Sequence, residues 1–209
     1  MVDSLCDNLV CMKRIAAFDF DGTITRKDTL IEFLRFAGGS VRLYAVFALY
    51  SPLLVLMKLK LYSNQKAKEK IFAHYFKSMP IEQFDNLCRR FYEQKGLALI
   101  YAEAKAQIAK HKEQGDEVVI ISASLENWVC HFAEALEVDK LLATQVDIQD
   151  GKLTGHFFTA NCYGKEKVNR LLSVYPERNK YYLMAYGDSR GDKELLQFAD
   201  EQHYKSFKQ

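Results

Sequence analysis

Two aspartates spaced two residues apart are the residues of this 209-residue chain that most directly suggest chemistry. Asp19 and Asp21 follow the apolar run 15–18 and precede Gly22, so they lie where a buried strand should end. Alternate residues of a strand point the same way, so both carboxylates can face one volume beyond the strand's carboxyl end, where open α/β sheets bind ligands. Two carboxylates there suit Mg²⁺, and one can attack phosphorus while the other moves a proton. A solvated Asp-Gly turn would explain the same residues without chemistry.

Three further segments follow in a fixed order, each with polar residues at one end of an apolar pattern. They are the strand pattern 118–121 followed by Ser122, Ala123 and Ser124, the helix start that contains Lys165 and Lys167, and the strand pattern 182–186 followed by Asp188 and Asp192. Each segment is weak evidence by itself, but the four in one order form a specific pattern. The set resembles the four signature motifs of the haloacid dehalogenase-like phosphohydrolases, and the resemblance runs from about Arg14 to the end of the chain.

This resemblance implies a role for each acidic residue. Asp19 matches the aspartate that attacks phosphorus and forms an aspartyl-phosphate. Asp21 matches the residue that protonates the leaving group and then deprotonates water. The implied cofactor is Mg²⁺, bound by Asp19, the backbone carbonyl of Asp21 and Asp188, with Asp192 acting as a water-mediated or outer ligand.

The resemblance also implies groups that bind the substrate. Ser122 and the backbone N–H of Ala123 match the segment that holds phosphoryl oxygens, and we expect Thr23 and Ser124 to take part in substrate binding. Ser122 as the nucleophile of a serine hydrolase is disfavoured, because no GxSxG sequence surrounds it.

One lysine should neutralise the transferring phosphoryl group, and two candidates stay open. Lys165 lies three residues before the apolar Val168, a spacing that resembles phosphoserine phosphatases. Lys167 directly precedes Val168, which resembles the related lipid-phosphate branch, and we favour it as the catalytic lysine. The other lysine would then be an exposed residue at the start of a helix.

Strand and helix patterns alternate along most of the chain, which predicts an α/β fold with a parallel sheet flanked by helices. An all-helical insertion interrupts the alternation directly after the first motif. In the resembling family an insertion there is a C1 cap, so we predict a Rossmann-like core of residues 12–29 and 96–209 and a helical cap of residues 30–95. The turn signal at 149–151 predicts a β-hairpin between residues 141–148 and 152–158.

The cap segment combines positive charge with the most apolar run of the chain. Residues 26–77 contain ten basic and three acidic side chains, a formal charge of +7, whereas the remainder carries −5. The run 43–57 is too short to span a bilayer and is broken by Pro52. Two interpretations stay open: the core of a cap helical hairpin, or a surface that contacts a membrane peripherally.

The motifs predict Mg²⁺-dependent hydrolysis of a phosphomonoester, with a phosphoserine-like and a phosphatidylglycerophosphate-like substrate both open. Gly22 stands where phosphoserine phosphatases have Ser, and the apolar basic cap suits a lipid phosphate. A phosphotransferase with an alcohol acceptor would share every motif. A receiver-like signalling module is disfavoured, since it would be far shorter and have no cap. No nucleic-acid partner is expected.

The cysteines indicate a compartment. Five cysteines are scattered without CxxC spacing, which predicts free thiols in a reducing cytoplasm. Residues 1–14 contain no long apolar stretch, so we expect no secretory signal there. The predicted location is cytoplasmic, with contact at the inner face of the membrane as an option. The oligomeric state stays open.

Overall fold

A computed structural model describes residues 12–207 of the chain. The prediction that residues 1–14 contain no secretory signal falls almost wholly outside the described residues.

The secondary-structure elements alternate along the core and become purely helical in the cap. The strands are β1 (Lys13–Phe18), β2 (Glu117–Leu125), β3 (Lys140–Thr144), β4 (Val146–Gln149), β5 (Lys152–Phe157), β6 (Tyr181–Gly187) and β7 (Glu201–Tyr204). The helices are α1 (Thr29–Leu49), α2 (Ser51–Lys58), α3 (Asn64–Phe76), α4 (Ile81–Phe91), α5 (Leu97–Leu99), α6 (Ala102–Glu113), α7 (Glu126–Ala135), α8 (Lys165–Val174) and α9 (Lys193–Phe198).

A five-stranded parallel sheet in the order β3-β2-β1-β6-β7 forms the centre of the core. Alternate residues of β1 enter two apolar clusters: Ala16 and Phe18 belong to one, and Ile15 and Ala17 to the other. Because β1 is buried on both faces, its sequence is a continuous apolar run rather than an alternating one. The predicted α/β fold is confirmed, and the carboxyl ends of β1, β2 and β6 lie side by side at one edge.

Helices α1 to α4 lie in the segment predicted as the cap, and they pack around a cluster of phenylalanines. Phe33 of α1 contacts Phe76, Phe84 and Phe91 within the cap and stacks on Trp128 of α7 in the core, with ring centroids 4.8 Å apart. Offset and edge-to-face aromatic pairs add stability beyond the buried area. The cap and the core therefore share one apolar cluster on this side.

The two chain segments that link core and cap run beside each other. The N–H of Arg26 donates to the carbonyl of Leu99, and the N–H of Tyr101 donates to the carbonyl of Ile24. The apolar spacing of residues 97–114 predicts one continuous helix. Ile100 is instead extended, with ψ 134°, so α5 ends at Leu99 and α6 begins at Ala102. Pairing between the linkers outweighs the helical pattern of this segment.

The predicted hairpin is shorter than expected. Residues 140–144 form β3 of the main sheet, and only β4 and β5 pair around a turn in which Asp150 and Gly151 have positive φ. The hairpin packs against the cap: the carbonyl of Leu153 accepts from the N–H of Ser78, and Gly155 lies against Ala73 of α3. A Cβ on Gly155 would lie 2.7 Å from the Ala73 Cβ, so a glycine permits this approach.

No single helix among residues 12–207 has the length and apolar composition needed to cross a membrane. Helices α1 and α2 are bent by 62° relative to each other, and they reach that length and apolar composition only when they are taken together.

Candidate active site

The predicted acidic residues meet in a cavity of about 410 Å³ at the carboxyl edge of the sheet. Asp19 and Asp21 follow β1, and Asp188 follows the neighbouring strand β6. Between them Gly22 adopts φ +81°, and a Cβ there would lie 2.6 Å from Oδ2 of Asp188. A glycine at this position therefore lets the first turn pass closely beside the Asp188 carboxylate.

Asp19 is buried, and each of its two carboxylate oxygens accepts a hydrogen bond. The ammonium of Lys167 donates to Oδ1, and the Thr23 hydroxyl donates to Oδ2 at 3.2 Å. Burial raises the pKa of Asp19 to about 7, with the charge of Lys167 opposing that shift and Asp192 adding to it. Because the carboxylate is desolvated among other acids, its charged form would gain from a further cation.

Asp21 accepts three hydrogen bonds in the same cavity. The backbone N–H and the hydroxyl of Thr29 donate to Oδ1 at 2.7 and 2.6 Å, and the Ser124 hydroxyl donates to Oδ2 at 2.5 Å. The indole N–H of Trp128 in turn donates to the Thr29 hydroxyl at 3.1 Å. Burial, followed by the charge of Asp28, raises the pKa of Asp21 to about 6, while the three donors oppose the shift. A carboxyl group with a pKa near neutrality can both give and take a proton.

The two candidate lysines lie in different places. Lys167 is 1 % exposed, and its ammonium donates to Asp19, to Asp192 at 2.6 Å and to the carbonyl of Ile121 at 2.9 Å. Although burial opposes it, the charges of Asp19 and Asp192 raise the pKa of Lys167 above its usual range, so this lysine is charged. Lys165 is exposed at the first residue of α8 and does not line the cavity.

Three carboxylates could hold a cation among the described residues. One oxygen each from Asp19, Asp188 and Asp192 lie within 4.8 Å of one another. Oxygen ligands, excess negative charge and a cavity open to a phosphate fit Mg²⁺. Asp192 is otherwise engaged, since its Oδ2 accepts from the N–H and hydroxyl of Ser189 at 2.9 and 2.7 Å. That arrangement suits a residue that orients its neighbours.

The hydroxyl residues predicted to bind substrate lie behind the cavity wall. Ser122 is fully buried, and its hydroxyl oxygen accepts from the N–H of Ser124 at 3.0 Å. Thr23 and Ser124 direct their hydroxyls at Asp19 and Asp21 rather than into the cavity. Of the four residues predicted to bind substrate, only Ala123 lines the cavity. The structure therefore places Ser122, Thr23 and Ser124 where they orient the turn and the carboxylates.

A cap lysine that sequence reasoning did not single out reaches the site. Lys68 of α3 lines the cavity, and its ammonium donates to the carbonyl of Ala123 at 3.2 Å and to Oδ1 of Asn161 at 3.5 Å. Burial lowers the pKa of Lys68, and Asp28 and Asp21 oppose that shift. Asn64, one helical turn earlier, lines the same cavity. The i, i+4 spacing of these two residues beside buried Ala67 is the sequence signal that could have indicated an inward-facing pair.

Known proteins share this arrangement of motifs and fold. The family model for haloacid dehalogenase-like hydrolases matches residues 16–197. The chain belongs to that family. Protein CicA of Caulobacter vibrioides is 33% identical over 197 residues, which cover 93% of this chain and 86% of CicA. A phosphoserine phosphatase of Methanocaldococcus jannaschii is 27% identical over 193 residues, or 90% and 82% of the two chains.

Solved structures agree on the fold of this hydrolase. A Bordetella pertussis protein whose function is unknown superposes with a TM-score of 0.75 at 20% identity, covering 91% of this chain and 89% of the other. The chain is thus a phosphatase-like hydrolase of the haloacid dehalogenase-like family, with the acidic cluster that its sequence predicted.

Proposed function

We propose that this hydrolase removes phosphate from a phosphomonoester in an Mg²⁺-dependent reaction that passes through an aspartyl-phosphate on Asp19. One observation carries the proposal: the Asp19 carboxylate accepts from the ammonium of Lys167 and has an oxygen within 4.8 Å of oxygens of Asp188 and Asp192, with Asp21 lining the same cavity. A nucleophile, an acid–base group and a fixed cation are therefore within one small volume.

In the first half-reaction, an oxygen of Asp19 attacks phosphorus and the ester P–O bond breaks. The leaving alkoxide takes the proton of Asp21, whose raised pKa allows it to carry that proton near neutral pH. Lys167 holds the Asp19 oxygen in place and offsets the negative charge that the incoming phosphate adds.

In the second half-reaction, a water molecule gives a proton to Asp21 and attacks the phosphorus of the aspartyl-phosphate. The bond between the Asp19 oxygen and phosphorus breaks, which releases inorganic phosphate and restores both carboxyl groups. The donors from Thr29 and Ser124 keep the Asp21 carboxylate aimed at the same point in both halves.

Asp19, Asp188 and the backbone carbonyl of Asp21 would hold Mg²⁺, and Asp192 would orient the residues around it. The ion would supply Lewis-acid polarisation of a phosphoryl oxygen and relieve repulsion between phosphate and carboxylates.

The part of the substrate beyond the phosphate should face the cap. Asn64 and Lys68 of α3 and Arg26 and Lys27 of the first linker line that side of the cavity. Their charge favours a second anionic or polar group on the substrate. Phosphoserine-like and phosphatidylglycerophosphate-like esters both meet this requirement. A cytoplasmic location is part of the proposal, since Cys88, Cys130 and Cys162 are free thiols.

A panel of phosphomonoesters tests the proposal. Phosphoserine, sugar phosphates and phosphatidylglycerophosphate should be assayed for release of inorganic phosphate with Mg²⁺, with excess chelator, and with the Asp19→Asn variant as the matched control. We expect turnover of at least one ester that needs Mg²⁺ and Asp19. Full activity in chelator would refute the metal assignment. Transfer of the phosphate to an added alcohol in place of water would identify a phosphotransferase.

A further inference from the structure

One segment of the cap, residues 41–61, here called the cap tip, exposes many large apolar side chains. Its exposed members are Val41, Tyr44, Leu49, Val55, Leu56, Leu59 and Leu61. Helix α2 buries no residue, although five of its eight residues are Leu, Val or Met. By contrast, the similarly short α4 buries Phe84, Cys88 and Phe91.

The buried and exposed faces of the cap tip are separate. Leu43 and Val46 of α1 are buried in the same apolar cluster as Ile71 and Phe72 of α3. Residues between them on the helix, including Tyr44, face outward. The exposed residues of α2 and the following turn extend this outer face, with Leu59 62% and Leu61 73% exposed. Clustered exposure of large apolar side chains marks an interaction surface.

The charge around the cap tip is of one sign. Residues 33–68 contain six basic residues and no aspartate or glutamate. Arg42, Lys58 and Lys60 of the cap tip are exposed, as are Lys66 and Lys70 on α3. A symmetric dimer that paired the cap tip with itself would place like charges against each other without acids to pair them. An anionic surface, by contrast, complements the lysines while apolar side chains enter it.

We propose that the cap tip docks into the interface of an anionic lipid bilayer, with its apolar side chains at the boundary between headgroups and acyl chains and its lysines on the lipid phosphates. An α2 of eight residues is about 12 Å long, far less than the roughly 30 Å of a hydrocarbon core, so the segment lies in the interface and does not cross it.

Docking would bring the cavity close to the lipid surface. Helix α3 begins at Asn64, three residues after the cap tip, and carries Lys68 into the cavity. The surface is distinct from the catalytic residues, so its binding does not depend on the proposed reaction.

Vesicle co-sedimentation of the full chain tests the proposal. Vesicles of phosphatidylcholine alone are compared with vesicles that also contain phosphatidylglycerol, at low salt and at about 1 M salt, where the Debye length is about 3 Å. We expect binding to the anionic vesicles that is more than about tenfold stronger than to the neutral ones and is lost at high salt.

Two sets of variants separate the apolar and electrostatic parts. The triple variant Leu56→Ser, Leu59→Ser, Leu61→Ser should weaken binding by more than about tenfold, as should Lys58→Gln with Lys60→Gln. The matched control replaces Leu97 and Phe158, which are 72% and 73% exposed on other surfaces, with Ser and should bind as the wild type does.

Measurements without lipid make the test decisive. All variants should retain the circular dichroism spectrum and thermal unfolding of the wild type, because the replaced side chains are exposed. Equal binding of wild type and both variant sets, or no binding to anionic vesicles at low salt, would overturn the proposal. A concentration-dependent dimer that the Leu variants abolish would also overturn it, in favour of a second copy as the occupant.

Discussion

The ammonium of Lys68, on the cap helix α3, donates a hydrogen bond to the backbone carbonyl of Ala123, on the core strand β2, across a distance of 3.2 Å. This contact joins the cap to the wall of the catalytic cavity. Lys68 also lies close enough to Asp21 and Asp28 for their charges to affect its pKa. A substrate that enters the cavity therefore meets a cation supplied by the cap and another, Lys167, supplied by the core.

Replacement of Lys68 by Met should weaken substrate binding more than it slows chemistry. A charge-assisted hydrogen bond contributes about 1.5–3 kcal/mol, so we expect KM for the preferred phosphomonoester to rise by at least about tenfold while kcat changes less. Lys70→Met is the control, because Lys70 is exposed on the same helix. Steady-state kinetics with a soluble substrate measure both effects. An unchanged KM in Lys68→Met would show that this lysine does not contact the substrate.

The two lysines of α8 should differ sharply. Lys167→Met should reduce kcat/KM by several orders of magnitude, since the buried ammonium holds Asp19 and offsets phosphate charge. Lys165→Met should stay within about twofold of the wild type, because its side chain is exposed outside the cavity. Thermal unfolding must accompany the assay, as loss of Lys167 leaves Asp19 and Asp192 without their shared cation. If Lys167→Met is folded and active while Lys165→Met is inactive, the lysine assignment is reversed.

Gly22 and Gly151 offer a matched pair of substitutions to alanine. Both have positive φ, +81° and +72°, so each alanine should lower the free energy of unfolding by about 1–2 kcal/mol. The new Cβ at Gly22 would clash with Asp188, whereas nothing lies within 4 Å of a new Cβ at Gly151. We therefore expect Gly22→Ala to lose most Mg²⁺-dependent activity and Gly151→Ala to keep it. Equal activity of the two variants would show that the close approach of Gly22 to Asp188 is not needed for activity.

Stability at acid pH should depend on the buried Asp116. His111 Nδ1–H and Arg14 Nε–H each donate to its carboxylate at 2.7 Å. Although burial opposes it, these two partners hold the pKa of Asp116 below the ordinary value of 3.8. The carboxylate therefore stabilises the fold above about pH 4, and this contribution is lost as the pH falls through the lower pKa of the folded state.

Asp116→Asn tests that pH dependence. The variant should be less stable than the wild type by about 2 kcal/mol at pH 7, and the difference should shrink as the pH falls below about 4. Urea unfolding at a series of pH values measures it. A difference that is constant from pH 7 to pH 3 would mean that the charge of Asp116 contributes nothing.

Features encoded by short sequence segments were predictable. The apolar run before Asp19 predicts a strand that is buried on both faces of a sheet, and the carboxylates that follow such a strand emerge at the carboxyl edge. The same logic located Asp188 after β6. The alternation of strands and helices predicted the parallel sheet, which the structure confirms.

Features that depend on pairing between distant segments were not predictable. Residues 140–144 carry a strand pattern, but whether they join the main sheet or the hairpin depends on the free edge of β2. The resemblance favoured Lys167 over Lys165, but both lie on one helix start, and the docking of that helix on β2 is what brings Lys167 to Asp19. The i, i+4 spacing of Asn64 and Lys68 indicates that they share one helix face, but that face meets the cavity only because the cap folds back over the core.

The central claim is that Asp19 carries the phosphate during turnover. The most direct measurement is an acid quench during the first turnover of a radiolabelled phosphomonoester, followed by identification of the labelled peptide. We predict a covalent, hydroxylamine-sensitive label on the peptide that contains Asp19, and neither label nor turnover in Asp19→Asn. Substantial activity in the folded Asp19→Asn variant, above about a tenth of the wild-type rate, would contradict the account.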